Sequence, residues 1–405
     1  MTFRELLEKY KDGTATQAER ALVEAELEKS EAIADYLAEG LEALEGGEGA
    51  LSTSGAEVKQ VKRTVNRRLR RTALWAAAIV LAAVLAVQFV VNPLVSSFHY
   101  QPNAQTVGQE EYSDATYDLT ALYSLLMPGQ TVGDVQAQSL GFGKYALTYK
   151  TEDWLTGEQR QISRTMDPGE YGSGGWITPS MQSGFDLLVM ELMAGEGKKL
   201  SGSGYGQEKV DYLLQLPETS YLAVWVHFPE QLNPIGFARL EEAYSGYRRE
   251  GTLSFRWAAV RAAEGDQRLI GYQTQDCPYL GAAPDTEKYP MFSYTQMREE
   301  MAGRSFSETG KAQFEGAAAK EHFTILLAYL AERPEAVEAL AGPADSLDFG
   351  GVLDYVAENG VEIYGALVYA QPSALLQMWE DGVIDGLAIQ QVLPSRYSGS
   401  TDIRQ

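Results

Sequence analysis

The sequence predicts an α+β protein: an N-terminal helical hairpin, one transmembrane helix, and an extracellular α+β domain with two βαβ-like units. Three observations carry this prediction. A single uncharged apolar run extends from Ala73 to Val91, helical apolar periodicity precedes it, and two strand–helix–strand patterns follow it. The chain has 405 residues, room for more than one domain, because single cores stop growing at roughly 250–300 residues. Apolar residues make up 45% and charged residues 22%, the balance of a folded rather than a disordered chain. The 56 acidic against 33 basic residues give a net charge of −23. That charge repels phosphate backbones and argues against direct nucleic-acid binding. Cys277 is the sole cysteine, and His99, His227 and His322 are scattered. Neither an internal disulfide nor a Cys/His metal cage can be assembled from them, and no cofactor is expected.

The first element is helical. Thr2 with Glu5 forms a capping-box pattern, Leu6, Leu7 and Tyr10 then line one side, and Gly13 can close the turn. Thr16 with Glu19 repeats the box. Ala18, Leu22, Ala25, Ala32, Ile33, Tyr36, Leu37, Leu41 and Leu44 recur at three- and four-residue steps, broken at Lys29, up to Gly46-Gly47. Two helices this short bury too little to stand alone, so a partner or self-association must support them.

From Val58 to Arg71 the chain carries Lys59, Lys62, Arg63, Arg67, Arg68, Arg70 and Arg71 and no acid. This basic stem suits an anionic lipid surface. The 19 residues from Ala73 to Val91 would reach about 28 Å as a helix, the thickness of a hydrocarbon core. By the positive-inside rule, Arg67, Arg68, Arg70 and Arg71 set the topology: N-terminus cytoplasmic, C-terminal part outside. A signal peptide is disfavoured by the long segment ahead of the run, which therefore reads as a retained signal-anchor. Residues 72–405 hold 42 acids and 21 bases, so the acidity belongs to the outer part. Ala78, Ala82 and Ala86 lie four apart, a spacing that permits helix pairing with itself or with a partner membrane protein, although abundant alanine explains it as well.

Beyond Pro93, residues His99–Val107 read as an extended stalk, Asp114–Met127 as a helix closed by Pro128-Gly129, and Tyr145–Asp153 with Gln159–Met166 as a hairpin. Two similar units follow. Tyr221–Phe228, a helix from Pro234 to Tyr247 and Leu253–Val260 make the first. Glu362–Tyr369, a helix from Pro372 to Trp379 and Gly386–Leu393 make the second. Helices over Glu308–Arg333 and Pro334–Gly342 connect them. Such units pack their strands side by side with the helices on one face, so a ferredoxin-like sandwich is the economical arrangement. A groove between the units could hold a small molecule or peptide. The resulting boundaries are 1–57 cytoplasmic helices, 58–71 basic stem, 72–92 transmembrane helix, 93–107 stalk, 108–200 first extracellular region and 201–395 C-terminal extracellular domain.

Catalytic constellations are sparse. Gly202-Ser203-Gly204-Tyr205-Gly206 lacks the phosphate-loop ending, and no nucleophile elbow surrounds Ser203. The pairs Glu241-Glu242 and Glu299-Glu300 diverge on a helix and cannot share a proton, so they read as solvated faces. No enzyme is predicted, although a tethered extracellular enzyme or a scaffold would share this topology.

The run Leu6, Leu7, Tyr10, Gly13, Thr16, Glu19, Val23, Glu24 and Leu27 resembles the start of the anti-sigma domains of membrane-anchored regulators of extracytoplasmic-function sigma factors. The zinc-associated version places a histidine and a C-x-x-C pair where this chain has Glu26, Ser30 and Ile33, so the zinc site is absent. Val352, Leu353, Asp354, Tyr355, Val356, Asn359, Gly360, Val361, Ile363, Tyr364 and Gly365, together with Ser220–Val224, are similar to the outer domain of the sigma factor regulator family. This resemblance implies a membrane-bound anti-sigma factor. Leu6, Leu7, Tyr10, Leu22, Ile33, Leu37 and Leu41 would bind the sigma factor, with release on an envelope signal by proteolysis or by ligand binding. It leaves a partner membrane protein or an intramembrane protease open as further partners.

Overall fold

The computed structural model describes Thr16 and residues 71–72, 74–102, 113–133, 135–170, 205–263, 269–274, 310–342 and 348–396. The chain divides into two compact units, Met1–Ala83 and Val84–Gln405.

The apolar run forms α1, Leu74–Ser96, a helix of 23 residues whose apolar stretch is exposed throughout and which could span a membrane. It extends beyond Asn92 and Pro93, where the sequence suggests a stop. Pro93 has no N–H, and its ring would strike the carbonyl four residues back. The helix widens to admit it: Val87–Val91 forms a π-type turn, in which the Asn92 N–H bonds to the Val87 carbonyl. One further turn, Asn92–Ser96, then ends at Ser97.

Helix α2, Asp114–Leu126, follows Ser113. All thirteen of its residues are buried, polar ones included, which puts it at the centre of the fold rather than on an amphipathic surface. Its buried hydroxyls are satisfied locally: Thr120 Oγ1 donates to the Thr116 carbonyl at 2.7 Å, and Thr116 Oγ1 accepts the Val135 N–H at 3.2 Å.

A small antiparallel sheet comes next, made of β1 (Gln130–Val132), β2 (Gln136–Gly141), β3 (Lys144–Asp153) and β4 (Gln159–Met166). Strand β3 pairs with the other three. Its alternation buries Tyr145, Leu147, Tyr149 and Thr151 on one face. The β3–β4 turn is held by Asp153, whose Oδ1 accepts from the Leu155 and Thr156 N–H groups and the Thr156 hydroxyl at 2.8–3.0 Å.

The larger sheet contains β5 (Tyr221–Leu232), β6 (Leu253–Val260), β7 (Ile270–Gln273), β8 (Ile363–Ala370) and β9 (Gly386–Leu393), in the order β7-β6-β8-β5-β9. All neighbours are antiparallel. Without β7, the order β9-β5-β8-β6 is the ferredoxin-like interleaving of two strand–helix–strand units. Helix α3 (Gln207–Leu213) precedes this sheet, α4 (Pro234–Ala243) and α5 (Ser245–Glu250) connect β5 to β6, and α9 (Pro372–Glu380) connects β8 to β9. Helices α6 (Lys311–Ala331), α7 (Pro334–Ala341) and α8 (Phe349–Asn359) are inserted between the units.

The expected helix Pro234–Tyr247 breaks at Tyr244, whose hydroxyl donates to Asp381 Oδ2 at 2.5 Å. The two units do not stand side by side as separate bodies, because β5 of the first lies between β8 and β9 of the second. Their strands alternate in one sheet.

Both faces of the large sheet are covered, so β8 is buried along its whole length. On one face, Phe237 of α4 packs edge-on against Phe228 and Phe255, with centroids 6.1 and 5.4 Å apart, beside Leu375 and Met378 of α9. On the other, Trp225 and Trp257 meet edge to face at 5.7 Å, and Leu155 from the β3–β4 turn closes over them. Gly316 lets α6 lie directly on the start of α4, because a Cβ there would sit 2.6 Å from the Ile235 backbone.

Candidate functional site

The candidate partner-binding residues Leu6, Leu7, Tyr10, Leu22, Ile33, Leu37 and Leu41 lie outside the described residues, as do the topology residues Arg67, Arg68 and Arg70. Arg71 is helical and exposed. Ser203 and Cys277 also lie outside. Among the described residues, no three His, Cys, Asp or Glu side chains converge as a metal site. His227 Nδ1 donates to Asp385 Oδ1 at 2.5 Å, fastening the middle of β5 to the residue before β9, where the Asp385 N–H also bonds to the His227 carbonyl.

The residues with a shared task are those joining α1 to the domain that follows it. Two connections meet there, the first at the β2–β3 turn. Asn92 Oδ1 accepts the Phe142 N–H, and Ser96 Oγ accepts the Gly143 N–H at 3.0 Å. Gly141, Phe142 and Gly143 have φ of 90°, 54° and 76°. Three consecutive left-handed residues fold the turn back onto the helix end. Glycine does this freely, whereas a phenylalanine held there costs on the order of 1–3 kcal/mol. Gly143 must lack a Cβ, which would lie 2.7 Å from the His99 ring.

The second connection is internal. Of the stretch expected as an extended stalk, Tyr100 is already in the core, and the Pro102 carbonyl accepts the Ala115 N–H. Aromatic and apolar groups next to an acidic partner favour packing over extension. The Tyr100 hydroxyl donates to Asp118 Oδ2 at 2.5 Å. Asp118, fully buried on α2, accepts a bidentate pair from Arg333 at 2.7 and 3.1 Å and a third contact from the Tyr329 hydroxyl at 2.7 Å. The guanidinium also lies 5.2 Å from the Tyr329 ring and 3.6 Å from Asp114. Four segments, the exit from α1, α2, the end of α6 and the start of α7, are therefore tied at one carboxylate.

Burial pushes the Asp118 carboxyl up from its ordinary value, against the opposing pull of Arg333 and the two hydroxyls. Burial also acts to lower the Arg333 guanidinium, but the charge and hydrogen bonds of Asp118 more than reverse it, so the arginine is held firmly cationic. Burial and the neighbouring carboxylate raise the Tyr100 hydroxyl well above its usual range, keeping it a donor. Such a cluster has no spare lone pair for chemistry. It can hold segments in register.

Aromatic and polar groups position α2 and the small sheet against the large sheet. Trp257 Nε1 donates to the Ser124 carbonyl at the end of α2 at 2.9 Å, and Gln273 Nε2 donates to the Gln130 carbonyl at 2.9 Å. Arg256 sits 5.5 Å from the Trp154 ring and 5.1 Å from the Tyr369 ring. An open groove of about 490 Å³ runs along the small sheet, lined among others by Gln136, Thr148, Tyr149, Lys150, Glu152 and Gln161. Sequence reasoning missed both the carboxylate cluster and this groove. Asp118 and Arg333 are 215 positions apart, and no local pattern marks their meeting.

Residues 213–391 match the family model described as sigma factor regulator C-terminal. The matched segment begins at the last residue of α3 and ends within β9, so it takes in the large sheet and the helices α4–α9. Helix α2 and the small sheet lie before it. No curated protein and no solved structure matches the chain.

Proposed function

We propose that this chain, a member of the sigma factor regulator family by its C-terminal domain, is a single-pass bacterial membrane protein acting as an anti-sigma factor. Its residues 1–57 lie in the cytoplasm and sequester an extracytoplasmic-function sigma factor. The carrying observation is the match of residues 213–391 to the regulator C-terminal model, on a chain that also holds an exposed apolar helix of 23 residues. The amphipathic helices lay Leu6, Leu7, Tyr10, Leu22, Ile33, Leu37 and Leu41 into grooves of the sigma factor, covering surfaces it needs for polymerase. The outer domain receives an envelope signal. Because Asp118 ties the exit of α1 to the regulator domain, a change of packing around α6 and α7 reaches the membrane exit without crossing a flexible tether. Release follows either from a shift in the population of bound helices or from cleavage by an intramembrane protease. Catalysis and cofactors have no part in this reading.

The test is co-purification of the full-length chain, extracted in mild detergent, with the proteins it retains identified by mass spectrometry. A sigma factor is expected in the complex, and it is expected to be lost from Leu22→Asp and Leu37→Asp chains that remain folded. A folded chain that retains no sigma factor would overturn the proposal.

A further inference from the structure

The β2–β3 turn carries an unusual surface. Most of β2 is polar, with Gln136, Gln138 and Ser139, whereas its tip exposes Leu140 at 53% and Phe142 at 45%. After the end of α1, which the turn contacts, Phe98 is exposed at 72%. The hydrogen bonds from the Phe142 and Gly143 N–H groups to Asn92 and Ser96 fix the height of this tip along α1. Asn92 directly follows the apolar run, so if α1 spans a membrane the tip falls at the level where hydrocarbon gives way to headgroups. Aromatic rings are enriched at that level in membrane proteins. Just past the tip, Lys144 pairs with Asp167, where the surface turns polar again.

Phe142 is also, among the described residues, the one non-glycine with a positive φ. A solvent-exposed turn of this shape is served better by glycine or asparagine. An aromatic side chain kept in that conformation and left exposed points to a medium that rewards it.

We infer that the β2–β3 tip is a second membrane contact, seating Leu140 and Phe142, with Phe98, in the interfacial layer of the lipid bilayer beside α1. The occupant is lipid rather than protein on two grounds. The patch is continuous with the exposed apolar surface of α1, and a few side chains fall far short of the roughly 1,000 Å² that a specific protein interface buries. The contact would hold the outer domain against the membrane and fix its orientation. This inference rests on the reading of α1 as a membrane span.

The experiment uses the full-length chain with Cys277→Ser, reconstituted in phosphatidylcholine and phosphatidylglycerol vesicles. Single cysteines at Val84, Leu140, Phe142 and Gln161 carry a spin label, and collisions with oxygen and with a water-soluble nickel chelate are compared. Gln161, exposed and about 20 Å along the sheet from the tip, is the aqueous reference. The labels at Leu140 and Phe142 are expected to favour oxygen severalfold over nickel relative to Gln161, as Val84 does. If both tip labels meet nickel as freely as Gln161 while Val84 remains lipidic, the inference fails and the span reading stands. If Val84 also meets nickel freely, the span reading fails and the inference with it. Tip labels shielded from both reagents, or broadened by a neighbouring label, would assign the patch to a protein partner and overturn the lipid contact. Leu140 guards against a turn altered at Phe142, and each variant is checked for the parent melting temperature.

Discussion

At the scale of single residues, buried charge decides most. Asp118 and Arg333 form a bidentate pair with the carboxylate wholly buried and the arginine side chain about one-fifth exposed. Removing one partner of a buried pair leaves the other uncompensated, which costs about 3–5 kcal/mol, whereas removing both is far milder. Asp118→Asn and Arg333→Met are each expected to destabilise the chain by about that amount in denaturant unfolding, and the double variant by less than the sum. A strictly additive double variant would mean that the pair is not coupled. Glu241 illustrates the opposite balance. The adjacency of Glu241 and Glu242 suggests a solvated face, yet Glu241, on α4, is only partly exposed and has Lys311 and Glu315 of α6 among its charged neighbours. Desolvation, helped by Glu315 and opposed by Arg248 and Lys311, raises its carboxyl from its ordinary value to about 7. A raised carboxyl binds a proton in the folded state that the unfolded chain has already released. Folding is therefore favoured below the unfolded pKa, and this contribution is lost as pH rises towards 7. Glu241→Gln is expected to stabilise the chain by about 1–2 kcal/mol at pH 8 and to leave it unchanged at pH 4. Equal effects at both pH values would show that the carboxyl titrates normally.

At the scale of elements, close approach outweighs intrinsic preference. Gly316 lies inside α6, where alanine would gain about 1 kcal/mol of helix propensity. A Cβ at that position would sit 2.6 Å from the Ile235 backbone, which cannot swing aside as a side chain can. Forcing two packed helices apart costs about 1–3 kcal/mol. Gly316→Ala is thus expected to lower the melting temperature, and a rise would mean that α4 yields easily. The same elements indicate what a sequence discloses. Strands β5, β6, β8 and β9 were legible because their apolar runs are bounded by turn residues, and α4, α7 and α9 because each begins with a proline. Helix α8 bore signals that passed unread, with Asp348 capping the Gly351 N–H at 2.9 Å and Gly360 closing it at φ 85°. Strand β2 had little to read, because its side chains are polar and largely exposed. The central place of α2 was hidden for a different reason. Thr116 and Asp118 look like surface residues until Val135, Tyr100, Tyr329 and Arg333, from other segments, satisfy them. The carboxylate cluster belongs to that class, since Tyr100 and Arg333 lie 18 and 215 positions from Asp118.

At the scale of the whole molecule, charge asymmetry and the rigid exit from α1 bear on one another. The seven bases of residues 58–71 stand against 42 acids and 21 bases in residues 72–405. Retention of the basic stem on the cytoplasmic side is the orientation that this asymmetry favours. Every described connection beyond Asn92 then falls on the opposite side, including the clasp on the β2–β3 turn and the Asp118 cluster. On the proposed topology, a signal received by the C-terminal domain would have the packed contacts of α6 and Arg333 with Asp118 and Tyr100 to act through towards the exit from α1. The orientation can be read with a membrane-impermeant maleimide on the Cys277→Ser chain carrying one cysteine at Gln161 or at Ser54. Gln161→Cys is expected to react in intact cells, and Ser54→Cys only after lysis. Changing Arg67, Arg68, Arg70 and Arg71 together to glutamine should erode that preference, so that a fraction of Ser54→Cys chains becomes reactive from outside. If Ser54→Cys reacts in intact cells while the four arginines are present, the N-terminal helices face away from any sigma factor. The anti-sigma proposal would then fail, whatever residues 213–391 resemble.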